Sequence, residues 1–339
     1  MKKPLLSILA ILMTAMLIFV SGCGEEDAGT GTSGAGGAGG TAAGAFASSS
    51  NDGFAITFVS GAPPPIVYDD NFEFDINLRV ENMGEFESDP DYVKITGISP
   101  TDFGITAEDL KQDPAVLAAV RKDPAGNIIQ GELTNLEFEG LDPVAVSGNV
   151  MFNLQAEICY PYETTSITSI CILEDILGTG KPIESAICNP NSDRTTEVSG
   201  GPVEIVNFRE SAIGKDKISF SFDVQHRGSG VLFKEGVEGD NPCKETLANK
   251  DKVTVTVDSE TKLPGDLSCS GLDGNAGELT LFRGEEGAGT ASRTIVCSLS
   301  LPSEGRTDYE TPITIKVGYQ YKQASQTKQI EVKHIEPDE

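Results

Sequence analysis

From Phe72 onward the chain is apolar at every second place: Phe72, Phe74, Ile76, Leu78 and Val80, with a break at Asn82-Met83-Gly84. Successive side chains of a strand point to opposite faces, so this period of two specifies a half-buried β-strand and not a helix. The same plan returns 144 residues later in Ile218, Phe220, Phe222 and Val224, ending at His226-Arg227-Gly228. A second pair of segments agrees. Tyr160-Pro161-Tyr162 is followed by Ser166 and Thr168, and Tyr319-Gln320-Tyr321 by Ser325 and Thr327, a shared Y-x-Y-x3-S-x-T pattern at an offset of 159. Internal self-similarity of this kind marks a tandem duplication. The copies are expected at 52–187 and 202–336, joined by an interdomain linker at 188–201.

Many short alternating strands without βαβ spacing predict antiparallel sheets, and in about 130 residues the usual solution is a two-sheet sandwich. The stretch Phe74-Asp75-Ile76-Asn77-Leu78-Arg79-Val80-Glu81-Asn82-Met83-Gly84 resembles the F-x-I-x-V-x-N-x-G strand that opens adhesion-type immunoglobulin-like modules of prokaryotic surfaces. The resemblance implies an all-β chain of two tandem immunoglobulin-like antiparallel β-sandwiches. The second copy departs from the pattern at His226, where the first has Asn82. A short helical insertion is expected in the first sandwich. Thr106 and Asp109 make a capping box, and Asp113-Pro114 reads as the start of a second short helix through Val116, Leu117 and Val120. Its apolar face is expected to plug an open end of the sandwich.

The first 22 residues read as a targeting segment. Lys2 and Lys3 precede an apolar run from Pro4 to Val20, and small residues follow at Ser21 and Gly22. Val20-Ser21-Gly22-Cys23 resembles a prokaryotic lipobox, which implies cleavage before Cys23 and a diacylglycerol on its sulfur. Two or more acyl chains make such anchoring stable. Residues 23–51 then read as a disordered tether, almost wholly Gly, Ala, Ser and Thr from Ala28 to Ser50. A coil of about 30 such residues spans roughly 30 Å. The protein is therefore expected outside the cytoplasmic membrane, at the cell surface or in the periplasm. The chain carries 25 basic and 52 acidic residues, a formal charge of −27, which argues against nucleic acid as a partner.

Catalytic patterns are not found. The chain has two histidines, His226 and His334, both in strand-like segments where packing or surface roles are expected. Gly178-Thr179-Gly180-Lys181 ends on Pro182 where a phosphate loop needs Ser or Thr. Ser325-Gln326-Thr327-Lys328 spells S-x-x-K without its companion motifs. Asp69-Asp70, Asp89-Pro90-Asp91 and Asp240-Asn241 stand at loop positions, but none follows EF-hand spacing, and they read as solvated turns. No catalytic residue, metal or cofactor is expected.

Beyond Cys23 there remain Cys159, Cys171, Cys188, Cys243, Cys269 and Cys297, an even number that in an exported chain implies disulfides. A turn at Thr165 would place Cys159 opposite Cys171 across a hairpin closing the first copy. Cys188 and Cys243 would then cross between the copies, and Cys269 and Cys297 would close the second. Twelve residues of strand between Cys159 and Cys171 argue against a redox pair. A group of uncharacterised exported archaeal proteins with a C-Y-P-Y hairpin is similar, which implies no activity. The expected role is non-catalytic binding, adhesion or envelope assembly by a lipid-anchored protein whose loops or sheet edges meet a protein or surface polymer. A filament or envelope-layer subunit, or an accessory module of an extracytoplasmic hydrolase or transporter, are the alternatives.

Overall fold

Alternation becomes strand almost throughout. The computed structural model describes residues 45–335 apart from 48–49, 70–71, 181, 184–185, 238, 240, 260–261 and 284–289. The first copy supplies β1 (Phe54–Phe58), β2 (Ile66–Tyr68), β3 (Phe74–Asn82), β4 (Tyr92–Thr96), β5 (Lys111–Gln112), β6 (Arg121–Lys122), β7 (Ile128–Ile129), β8 (Leu133–Leu141) and β9 (Val150–Ile172). After β10 (Glu197–Val198), the second copy supplies β11 (Val203–Gly214), β12 (Lys217–His226), β13 (Val231–Phe233), β14 (Lys252–Asp258) and β15 (Leu267–Cys269). It ends with β16 (Ala276–Thr280), β17 (Ser292–Ser300), β18 (Tyr309–Ala324) and β19 (Lys328–Lys333). The fold is all-β, built of several antiparallel sheets.

Each copy contributes a small sheet, β1-β3-β8 in the first and β11-β12-β17-β15 in the second. Both copies share one ten-stranded sheet, whose path runs β16-β14-β18-β9-β19-β2. Its centre is the pairing of β9 with β18, from Tyr309 opposite Ile172 to Ala324 opposite Glu157. At the repeat offset of 159, residues 150–172 of β9 correspond to 309–331, which is β18 with most of β19. The two corresponding strands thus lie antiparallel against each other, related by a local two-fold at Pro161 opposite Gln320. The two halves interlock, and the described residues form one compact unit across the stretch 188–201 expected as a linker.

The hairpin expected at Thr165 does not form. Glu163 to Ser169 is rich in Thr, a β-branched residue that favours extended backbone, and has no Gly, Asn or Asp to take a tight turn. Strand β9 runs straight through it, since its ladder partners come from the other copy. Twelve residues of strand span about 40 Å, so Cys159 and Cys171 cannot meet.

The helical insertion is not seen either. Thr106 N–H and Oγ1 do bond Asp109 Oδ2 at 2.8 Å, but the turn ends there. Further along, the Leu110 carbonyl accepts from Ile95 N–H, Leu117 pairs with Ser88, and Val120 N–H bonds the Gly84 carbonyl. Backbone groups committed to neighbouring strands cannot make a helical ladder, and Pro114 has no N–H to give. Leu117 and Val120 are nonetheless buried, as their apolar character requires.

The small sheets pack on the shared sheet around one continuous core. In the first half Ile76, Leu78, Val80 and Phe138 meet Ile95, Ala156 and Ile158. In the second, Phe208 stacks on Phe220 and Phe222 with ring centroids 5.4 and 6.4 Å apart.

Candidate functional site

The central seam carries the densest polar chemistry. Period two points Tyr160 and Tyr162 of β9 inward beside Tyr319 and Tyr321 of β18, and all four are buried. Every hydroxyl has work to do. Tyr160 donates to Gln323 Oε1 at 2.7 Å and Tyr162 donates to the Gly200 carbonyl at 2.6 Å. Tyr319 meets Thr164 Oγ1 at 2.8 Å. Tyr162 also accepts from Glu85 N–H at 3.0 Å, and Tyr321 accepts from Gly230 N–H at 2.6 Å. In each case the donor is a backbone N–H one or two residues past the glycine of the turn, Gly84 or Gly228. Burial pushes all four phenols above the ordinary tyrosine range.

Two glycines admit these hydroxyls. A Cβ on Gly84 would lie 1.8 Å from Tyr162 Oη, and one on Gly228 would lie 2.3 Å from Tyr321 Oη. Asn82, fully buried, bonds the Phe86 and Leu117 carbonyls and accepts from Gly84 N–H, which closes the turn. His226, its counterpart, instead lies 3.1 Å from Tyr321 Oη through Nε2, and burial lowers its pKa. It is a packing residue of the seam.

A second polar cluster sits where the joining stretch crosses both halves. Arg194 reaches Glu310 at 2.8 Å and Glu210 at 3.2 Å. The Glu210 side chain is fully buried, and Cys171 N–H donates to both its oxygens at 3.0 Å. Burial raises the Glu210 carboxyl to about 7, against the pull of the Cys171 N–H and the Arg194 guanidinium. Sequence reading missed this residue because of a bulge. Asn207 takes a positive φ of 56°, and Phe208 and Glu210 point inward where strict alternation from Ile205 predicts Asn207 and Arg209.

Of the residues singled out in the sequence, Cys23, Asp70 and Asp240 lie outside the described residues, as does most of the tether. Its end is held: Ala45 N–H donates to Glu197 at 2.9 Å, and Ala47 N–H to Glu85. Asp69 is committed, accepting from Val146 and Ile335 N–H groups and from His334 Nδ1 at 2.7 Å, so its pKa falls to about 2. Asp91 accepts from the Gln320 amide. Among the described residues no group of three or more His, Cys, Asp and Glu side chains is arranged to hold a metal ion.

All six body cysteines are paired, with two partners exchanged relative to the expectation. Cys159 bonds Cys243 and Cys171 bonds Cys188, in place of Cys159–Cys171 and Cys188–Cys243. Cys269 bonds Cys297 as expected, across neighbouring strands β15 and β17. The bond that crosses between copies is Cys159–Cys243, packed against Tyr92 and Phe233.

Open polar surface lies on the outer face of the β11-β12-β17-β15 sheet. Ser211, Ser219, Ser298 and Ser268 stand opposite one another across its four strands. A shallow cleft of about 440 Å³ there is lined in part by Asn191, Ser192, Arg209, Ser219 and Ser221. Such a surface offers hydroxyls and a guanidinium for hydrogen bonding. No protein-family model matches the chain, and no curated protein matches it in sequence.

Proposed function

We propose that the protein is a lipid-anchored extracytoplasmic binding module of two interlocked immunoglobulin-like sandwiches, anchored through Cys23 and acting without catalysis. The observation that carries this reading is the cysteine pairing. The six cysteines of the body bond among themselves, which suits an oxidising compartment, and the seventh stands in the lipobox-like Val20-Ser21-Gly22-Cys23. Strand order supports the immunoglobulin-like part. Sheet β1-β3-β8 faces β5-β4-β9, and β11-β12-β17 faces β16-β14-β18, the same A-B-E over C′-C-F order twice.

Contact with a protein or surface polymer then falls to an outer face, since the two longest strands, β9 and β18, bury their edges in each other. The serine-lined face of the second half is the surface we assign to it. Expression of the full chain in a prokaryotic host tests the anchor. Mass spectrometry of the mature N-terminus should find a diacylglyceryl group on Cys23, and the chain should partition into detergent. Partition unchanged in Cys23→Ala would overturn the anchor. Adsorption to isolated envelope polymer should fall in Ser219→Glu, and undiminished adsorption would remove that face from the reading.

A further inference from the structure

Among the described residues, strand β19 pairs with no strand of the half to which it is attached. Its partners are Ile66 to Tyr68 of β2 on one side and Val150 to Leu154 of β9 on the other, all of them in the first half. Ile330 and Val332 are fully buried between them. Just past the strand, His334 closes on Asp69, which fastens the end of β19 to the end of β2. The slot is therefore built wholly by one half and filled wholly by the other.

Between β18 and β19 the strand lapses at 325–327, and Gln326 and Thr327 are exposed there. The corresponding residues of β9, Ser166 to Thr168, stay within the strand. Ser325 itself is buried, donating its N–H to the Ala156 carbonyl at 2.7 Å and accepting the Ala156 N–H on Oγ at 3.0 Å, so the hinge is Gln326 and Thr327.

We propose that β19 is an exchangeable strand, and that the slot between β2 and β9 also accepts the β19 of a second copy of this chain. What the slot recognises is Lys328–Lys333 with His334, and these groups are identical whichever chain supplies them. Register is enforced by alternation, since a slip of one residue would turn Gln329 and Glu331 into the apolar slot. The chain's own strand is favoured in dilute solution by its short hinge, and crowding shifts the balance toward exchange. The exchange rests on the strand geometry and not on the lipid anchor, so its test needs no membrane.

Met151 stands opposite Glu331 on the outer side of the ladder, where Met151 is exposed. Opposed β-carbons in a ladder are close enough for a disulfide after small adjustment. Full-length Met151→Cys and Glu331→Cys chains, made separately, are mixed at rising concentration under mild oxidation and mapped without reduction. Exchange predicts an interchain 151–331 bond in clear excess over the two homodimeric bonds, growing with concentration. The double variant closes the same bond within one chain and shows that the pair can form. Asn153→Cys with Gln329→Cys, the neighbouring opposed pair, is run in parallel. If the intrachain bond closes in either pair and the mixed single variants give no interchain bond, or only the statistical proportion of hetero- and homodimers, the proposal is overturned.

Discussion

Glu210 titrates in the neutral range because burial outweighs two favourable contacts. Its carboxyl rises from 4.5 to about 7 despite the Cys171 N–H and the Arg194 guanidinium. A shift of that size corresponds to about 3 kcal/mol at the usual 1.36 kcal/mol per pK unit. The folded state holds this proton more tightly than the unfolded chain does. The stabilisation is therefore fully present below the unfolded value of about 4.5 and is lost as pH rises through about 7. Glu210→Gln keeps the shape and can still accept the Cys171 N–H, but it does not titrate. Urea unfolding of both proteins, with disulfides intact, is measured at steps from about pH 5 to about pH 8.5. Wild type should lose about 3 kcal/mol relative to the variant across that range. Taking the difference removes the contributions of Asp91, Glu235 and His226, which burial also shifts. Parallel curves would refute the reasoning, because they would mean that Arg194 and the Cys171 N–H offset the burial in full.

The crossing disulfide closes a longer loop than its neighbour, 84 residues against 17, so loop entropy predicts unequal losses. Replacing Cys159 and Cys243 by Ala should cost about 4.5 kcal/mol and replacing Cys171 and Cys188 about 3 kcal/mol, read by denaturant unfolding. The reverse order would contradict the assignment of Cys159–Cys243 as the clasp between halves. Gly84→Ala places a Cβ 1.8 Å from Tyr162 Oη and should destabilise by about 1–3 kcal/mol, with Gly228→Ala behaving alike. Adding Tyr162→Phe to Gly84→Ala should return part of that loss, and a neutral Gly84→Ala would show that the hydroxyl does not hold the turn.

How far the sequence could be read depends on which interactions are local. Strand alternation is local, and Ile218 to Val224 and Phe74 to Val80 lie in strands with the inward faces that period two assigns. Gly84 and Gly228, aligned on the same grounds, each lie against the hydroxyl of a buried tyrosine, Tyr162 and Tyr321. What Tyr160 and Tyr162 pair with was not legible, because a ladder partner can come from a turn nearby or from a corresponding strand 159 residues away. Both solutions bury the same side chains. Choosing the nearby one carried the disulfide pairing with it, which is why Cys159 and Cys171 were assigned to each other. The helix failed at Asp113-Pro114 in the same way, since its capping bonds are local while the competing partners of Leu117 and Val120 lie in distant segments. Glu210 was hidden by the bulge at Asn207, which no residue type announces.

Interlocking also accounts for the asymmetry between otherwise equivalent strands. A long strand left at the edge of a sheet is a template for aggregation. Strands β9 and β18 are the longest in their halves, and pairing them with each other removes both edges at once. Once they are paired, the danger lies in slippage, because a shift of one residue in either strand would turn that strand's two tyrosines, Tyr160 and Tyr162 or Tyr319 and Tyr321, to the outer face. One covalent tie beside the seam is enough to hold the register, and a symmetric second tie is not needed. At the position corresponding to Cys159 the second copy has Gly318, where a Cβ would meet the Glu235 carboxylate at 2.4 Å. Cys243 lies against the Tyr321 carbonyl, 3.5 Å from its sulfur, and so fastens to Cys159 from the side of the strand that must not slip. The single crossing bond thus lies where it restrains the one motion that the pairing itself leaves open.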